Sequence, residues 1–264
     1  FGMLPGDMNT CDAIVETQEK YNFPTKILST TGKNNKERII QSIKKLNGTV
    51  ALSMSVQSMD QEVLENIRRP NISVDKMLAL APTIREYGLR TTSEVILGLP
   101  GETYEKHVEG LRQLINAKMD FVVIHNCMLL NGSEMNTPKD RDRFGFKTKF
   151  RIVPRDFGVL SNGKKVCEIE EIVIGSDSLS FDEFLELRLI GFVLWISNQG
   201  IVFDALLKFL RERNVDVFDL FHNMAKDYHN APDSIKQIFD SFIKSTKNEL
   251  WDSPEEIKEF IQKD

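Results

Sequence analysis

The sequence predicts an α/β fold: an incomplete TIM-like (β/α) barrel with parallel strands, followed by a mostly helical C-terminal domain. Three observations carry this. Up to about residue 136, helix-period segments alternate with short apolar strands. After Pro138 that alternation stops. From Ser180 onward the chain is helical to its end. Domains are therefore expected at 1–136 and 137–264.

Taken in order, "MNTCDAIVETQEKYN" (8–22) reads as an amphipathic helix entered past Asp7, and "TKILSTT" (25–31) as a strand. "NKERIIQSIKKLN" (35–47) is a helix closed by Gly48, a residue favoured after a helix C-terminus. "TVALSMSVQS" (49–58) has the small apolar residues of a strand buried on both faces. Helices follow at 59–67 and 73–88, then a strand at 89–99, a helix at 103–118 and a strand at 120–129. Residues 139–166 read as basic and turn-rich, and "KVCEIEEIVIG" (165–175) alternates like an antiparallel strand. Five helices are expected at 181–198, 201–213, 215–229, 233–246 and 254–263, with Ser180 and Ser253 as N-caps.

Composition narrows the function. A chain of 264 residues that is 41% hydrophobic and 28% charged can bury a large core. The most apolar stretch, "LIGFVLWIS" at 189–197, falls short of the roughly 20 residues that span a bilayer. Cys11, Cys127 and Cys167 are odd in number and far apart, which suits reduced thiols in a cytoplasmic protein and offers no metal-ligand spacing. A net charge of -5 argues against a general nucleic-acid binder. Between Thr137 and Lys165, however, nine Lys or Arg face three Asp, a run read first as a solvated loop and second as a contact for an anionic substrate. The opening "FGMLPGD" has no initiator Met, basic region or apolar signal stretch, so the chain is expected to be a fragment.

In parallel α/β folds ligands sit outside the carboxyl ends of the strands. The ends readable here carry Ser29, Thr30 and Lys33; Ser55, Gln57 and Ser58; Glu94 with the Gly98–Gly101 turn; and His125 with Asn126. Glu94 lies inside an apolar strand and needs a partner, with Gln57, Lys33, Arg68, Arg69 or a ligand as candidates. The glycines of "GLPGET" let backbone approach a flat ligand, although by themselves they mark only a tight turn. His125 and Asn126 could bind substrate or move a proton, and a core role for the histidine is equally open. His107, His222 and His229 sit on helices among charged residues and are expected in solvent.

Together "SVQSMDQEVLENIRRPN" (55–71) and "EVILGLPGET" (94–103) resemble the middle of a radical S-adenosylmethionine (SAM) enzyme, similar to the oxygen-independent coproporphyrinogen oxidases and the cobalamin-dependent radical SAM group. "FGMLPGD" is similar to a strand end of the cobalamin-dependent subgroup. The resemblance covers about residues 1–136. It implies that Gln57, Arg69 and Glu94 face SAM, with Ser55, Lys33, Ile96 and Gly98 completing the cradle. It also implies a [4Fe-4S] cluster and, in that subgroup, cobalamin, with a 5'-deoxyadenosyl radical taking hydrogen from a small-molecule substrate. The family's Cys-x3-Cys-x2-Cys motif does not occur in these residues. The cluster and any cobalamin are thus expected on upstream segments, no metal ligand is assigned, and the chain alone is expected to be inactive. The alternative is a non-catalytic half barrel that docks a partner. An aldolase-like or amidohydrolase-like barrel is disfavoured, because no paired carboxylates, His pairs or Schiff-base Lys mark the strand ends.

Overall fold

The computed structural model describes residues 4–27, 29, 36–47, 49–50, 52–53, 55–69, 91–198 and 203–263. The expected helix at 73–88, Thr30, Lys33 and Gly48 lie outside the described residues. The chain divides into two compact units, one from 1–95, 109–124 and 194–219, the other from 96–108, 125–193 and 220–264.

The first unit opens with α1 (Asp7–Tyr21), which ends on Asn22 in the left-handed conformation, its N–H bonded back to Gln18. That geometry closes helices through asparagine as well as glycine. α2 (Lys36–Lys45) follows, and Cys11, Leu46 and Val50 form a buried cluster with Ile14, Val15 and Ile27 packed on it. The expected strand at 25–31 is represented by one parallel bridge, Ile27 to Val50. Among the described residues the regular part of the next strand is β1 (Leu52–Ser53); α3 (Gln61–Asn66) is capped by Asp60, whose carboxylate accepts the Val63 N–H at 3.0 Å.

β2 (Thr91–Leu97), α4 (Tyr104–Asn116) and β3 (Phe121–Asn126) complete the α/β pattern. The sheet order is β1-β2-β3, with β1 parallel to β2 through Leu52 opposite Thr91 and Ser53 opposite Thr92. Along β2 burial alternates, so Thr91, Ser93, Val95 and Leu97 face the core while Thr92, Glu94 and Ile96 share the more open face. At the opposite end from the candidate residues, the Asp120 carboxylate accepts both the N–H and hydroxyl of Thr91, at 2.8 and 2.7 Å, and fixes the start of β2. Arg112 of α4 ties the helical segment 194–219 to its own unit, reaching Asp216 at 2.5 Å and Asp219 at 2.7 Å.

In the second unit the sequence expectation for 139–166 fails. This stretch forms α5 (Pro138–Phe144) and a long strand, β4 (Lys147–Val159), antiparallel to β5 (Lys165–Gly175). The composition misleads because the basic side chains are placed opposite acids. Arg141 grips Glu171 with both guanidinium nitrogens, at 2.9 and 2.5 Å; Arg151 pairs with Glu170, and Lys149 with Asp252. The expected antiparallel character of 165–175 is observed: Leu129 N–H donates to Glu171 C=O, and Val173 N–H to Cys127 C=O. Helices α6 (Phe181–Asn198), α7 (Asp204–Glu212), α8 (Val217–Lys226), α9 (Asp233–Asn248) and α10 (Pro254–Lys263) match the expected positions. Ser180 caps α6 reciprocally with Glu183, and the Ser253 hydroxyl accepts the Glu256 N–H. Among the described residues no helix is long and apolar enough to cross a membrane; "LIGFVLWIS" lies within α6.

Burial alone would raise the Glu171 carboxyl, but hydrogen bonds from Arg141 and Thr148 overcome it and hold Glu171 below the usual carboxylate range. A depressed folded-state pKa contributes stability above the unfolded value, about 4.3, that is lost as pH falls from there through the folded value. Arg141→Gln is expected to cost about 1.5 kcal/mol at pH 7 and progressively less below pH 4. Urea unfolding as a function of pH measures this, and a pH-independent cost would contradict it.

Candidate functional site

The sequence candidates fall into two groups, one in each unit. In the first, β2 and the segment after β1 meet at their carboxyl ends. The Glu94 carbonyl accepts the N–H groups of both Val56 and Gln57 at 3.0 Å, and Gln57 bridges to Val95 in parallel. Gln57 itself adopts a left-handed backbone, φ 61°. Left-handed backbone at a non-glycine residue is costly and concentrates at functional positions. The Gln57 side chain is 9% exposed.

The Glu94 carboxylate accepts a hydrogen bond from the Ser55 hydroxyl through Oε2, which helps to orient it. Glu94 stays half-buried on the open face of β2, with Ile96 two residues further along that face. Arg69 lies exposed just past α3, its N–H bonded to the Leu64 carbonyl. Lys33 lies outside the described residues.

In the second unit the Gly98–Gly101 turn is built from the inside. Leu99 C=O accepts the Glu102 N–H at 3.0 Å, with Pro100 and then Gly101 (φ 76°) between them, the arrangement of a type II turn. Gly98 has φ 91°, and a Cβ there would stand 3.3 Å from the Val173 carbonyl oxygen. Positive φ and this approach of β5 both demand glycine. Glu102, 1% exposed, accepts the Gly98 N–H at 2.7 Å through Oε2 and holds His107 Nδ1 at 2.9 Å through Oε1. The Ser178 hydroxyl donates to the Glu102 carbonyl at 2.7 Å.

Sequence reading missed this lock. His107 was expected in solvent and is 5% exposed. Its signal was the five-residue spacing from Glu102, which lies just before α4 and meets the ring from the first turn of that helix. His222, also expected in solvent, is half-buried and shares a 3.0 Å hydrogen bond with the Tyr104 hydroxyl; His229 is exposed as expected.

At the end of β3, His125 is exposed and Asn126 is 7% exposed. Both Nδ2 and Oδ1 of Asn126 are buried and have no hydrogen-bond partner among the described residues. Leaving such an amide unsatisfied costs about 1–3 kcal/mol, a cost removed by a ligand carrying a neighbouring donor and acceptor. Cys11 and Cys127 are buried, and burial, with the Glu102 carboxylate adding to it, pushes the Cys127 thiol up to about 12. Among the described residues no three His, Cys, Asp or Glu side chains group as metal ligands.

Residues 9–139, which include every strand-end candidate described above, match the radical SAM superfamily. The chain carries a radical SAM domain. It is 26% identical over 262 residues to the cobalamin-dependent radical SAM methyltransferase TokK of Streptomyces tokunonensis, covering 96% of this chain and 38% of that protein. It is 27% identical over 244 residues to a 2-(S-pantetheinyl)-carbapenam-3-carboxylate methyltransferase of Streptantibioticus cattleyicolor, covering 89% of this chain and 35% of that protein. The chain thus spans well under half the length of either relative. A solved structure of the radical S-adenosylmethionine methyltransferase TsrM of Kitasatospora setae aligns with 70% of this chain and 40% of that chain, at 12% identity and a TM-score of 0.47.

Removing the lock exposes its worth. Glu102→Ala leaves the Gly98 N–H and the His107 ring without their acceptor and is expected to cost about 3 kcal/mol; Gly98→Ala, forced into left-handed backbone, costs about 2 kcal/mol. Urea denaturation of both variants is the measurement, and a Glu102→Ala protein as stable as the parent would show that the carboxylate does not hold the turn.

Proposed function

We propose that residues 1–136 are part of a radical SAM barrel and bind SAM at their strand ends, within a cobalamin-dependent radical SAM methyltransferase acting on a small molecule. The single observation that supports this best is the hydrogen bond from the Ser55 hydroxyl to the Glu94 carboxylate, at adjoining strand ends joined by the backbone of Val56 and Gln57 inside the matched segment. The methyltransferase reading rests on the names of the two curated relatives.

In this reading Glu94 accepts hydrogen bonds from the ribose hydroxyls or the methionyl ammonium, and Gln57 donates to the same part of the molecule. Arg69 supplies a guanidinium to the methionyl carboxylate. Backbone of Ile96–Gly98 lines the adenine, with the Ile96 side chain on the same face of β2 as Glu94. His125 and Asn126 meet the substrate or the adenosyl group. Lys33 belongs to the same proposed cradle.

SAM bound beside a reduced [4Fe-4S] cluster supplies the radical chemistry for which the superfamily is named. The three cysteines of this sequence are not proposed as cluster ligands, and no residue here is assigned to cobalamin. Residues 137–264 form the substrate or partner domain in this proposal, and a cytoplasmic setting belongs to the same reading. The basic run 139–165 is a weaker argument for an anionic substrate than its composition suggests, since Arg141, Lys149 and Arg151 already pair with acids.

Calorimetric titration of SAM into purified 1–264 tests the proposal. Binding is expected, about tenfold weaker in Glu94→Ala and in Gln57→Ala, roughly 1.4 kcal/mol each. The same chain supplied with iron, sulfide and a reductant should release no methionine from SAM. Binding indifferent to both substitutions sinks the site, and reductive cleavage sinks the expectation that the cluster ligands lie outside these residues.

A further inference from the structure

Within the second unit, α6 and α8 border a cleft of about 440 Å³ that the strand-end reading does not use. Each helix contributes one stripe at helical spacing. On α6 the stripe runs Asp182, Leu185, Glu186, Leu189; on α8 and the turn that follows it runs His222, Ala225, Lys226, His229. One wall is therefore acidic and the other cationic or imidazole-bearing, with buried Leu185, Leu189, Ile190 and Ala225 as an apolar floor. Ile243 of α9 adds to that floor.

The opposed charges do not neutralise each other. Among the described residues neither Asp182 nor Glu186 pairs with Lys226, although all three line the same space. The aromatic groups at the rim are held by their own bonds. Tyr104 and His222 share a hydrogen bond of 3.0 Å, and the Tyr228 hydroxyl donates to Asp240 at 3.1 Å while its ring lies against His229. The field at the Tyr104 end is negative: burial first, then Glu186, Glu105 and Glu183, raise the Tyr104 hydroxyl above its ordinary value.

A cleft of this size falls in the range that encloses small ligands. Its chemistry asks for a molecule with a cation at one end, an anion at the other and an apolar body between. We propose that this cleft binds a small zwitterion whose ammonium meets Asp182 and Glu186 and whose carboxylate meets Lys226 and His229. An α-amino acid places both charges on one carbon, whereas a dipeptide with apolar side chains separates them across the leucine and isoleucine floor. Dipeptides are the class that fits. The site is independent of SAM binding at the strand ends, so its failure leaves that reading untouched.

Calorimetric titration of purified 1–264 with Leu-Leu, N-acetyl-Leu-Leu and Leu-Leu amide tests it, alongside NMR of the histidine ring protons. Leu-Leu is expected to bind and to shift the His222 resonances, with each blocked peptide at least tenfold weaker. Glu186→Gln should weaken Leu-Leu about tenfold and leave N-acetyl-Leu-Leu unchanged; Lys226→Gln should do the mirror image with the amide. Both side chains are exposed, so neither substitution threatens folding. Absence of Leu-Leu binding, equal binding of the three peptides, or a loss confined to one wall overturns the proposal.

Discussion

The buried Glu102 carboxylate accepts the Gly98 N–H through one oxygen and takes the His107 ring through the other, while its backbone carbonyl receives the Ser178 hydroxyl. That one side chain joins the end of β2, the first turn of α4 and the approach to α6. A carboxylate this buried is costly to desolvate, and only a full set of hydrogen bonds makes it tolerable. The consequence is a Gly-Leu-Pro-Gly turn whose backbone direction at the strand end is fixed through buried hydrogen bonds. Positioning a strand end through buried polar groups is what a ligand site on an α/β sheet requires.

Charge placement gives several groups that look chemically loaded in the sequence a structural role: Arg112 pairs with Asp216 and Asp219, Arg141 with Glu171, and Arg151 with Glu170. At the strand ends the Ser55 hydroxyl is one of the groups that orient the Glu94 carboxylate.

The sequence made the alternating α/β order, the helix caps and the strand-end residues legible, because hydrophobic period and capping chemistry are local. Ser180 and Ser253 cap where their spacing to Glu183 and Glu256 says they should. Three features were hidden for one reason, that they depend on pairing across distance. The 139–166 run looked like a solvated loop until β5 brought Glu170 and Glu171 opposite its arginines. His107 looked solvated because its neighbours in sequence are polar, whereas its environment is set by Glu102. For Glu94 the candidates read from sequence were Gln57, Lys33, Arg68, Arg69 or a ligand, and the fold adds a short hydroxyl 39 residues away, that of Ser55.

The central claim is that the open face of β2, bearing Glu94 and Ile96, is a wall of the SAM site. The most direct measurement is methyl NMR of isoleucine-labelled protein during a SAM titration. Ile96 should shift strongly through the ring current of the adenine, while the fully buried methyls of Ile172 hold still. An unmoved Ile96 at saturating SAM, with the shifts appearing at other isoleucines, would contradict the account.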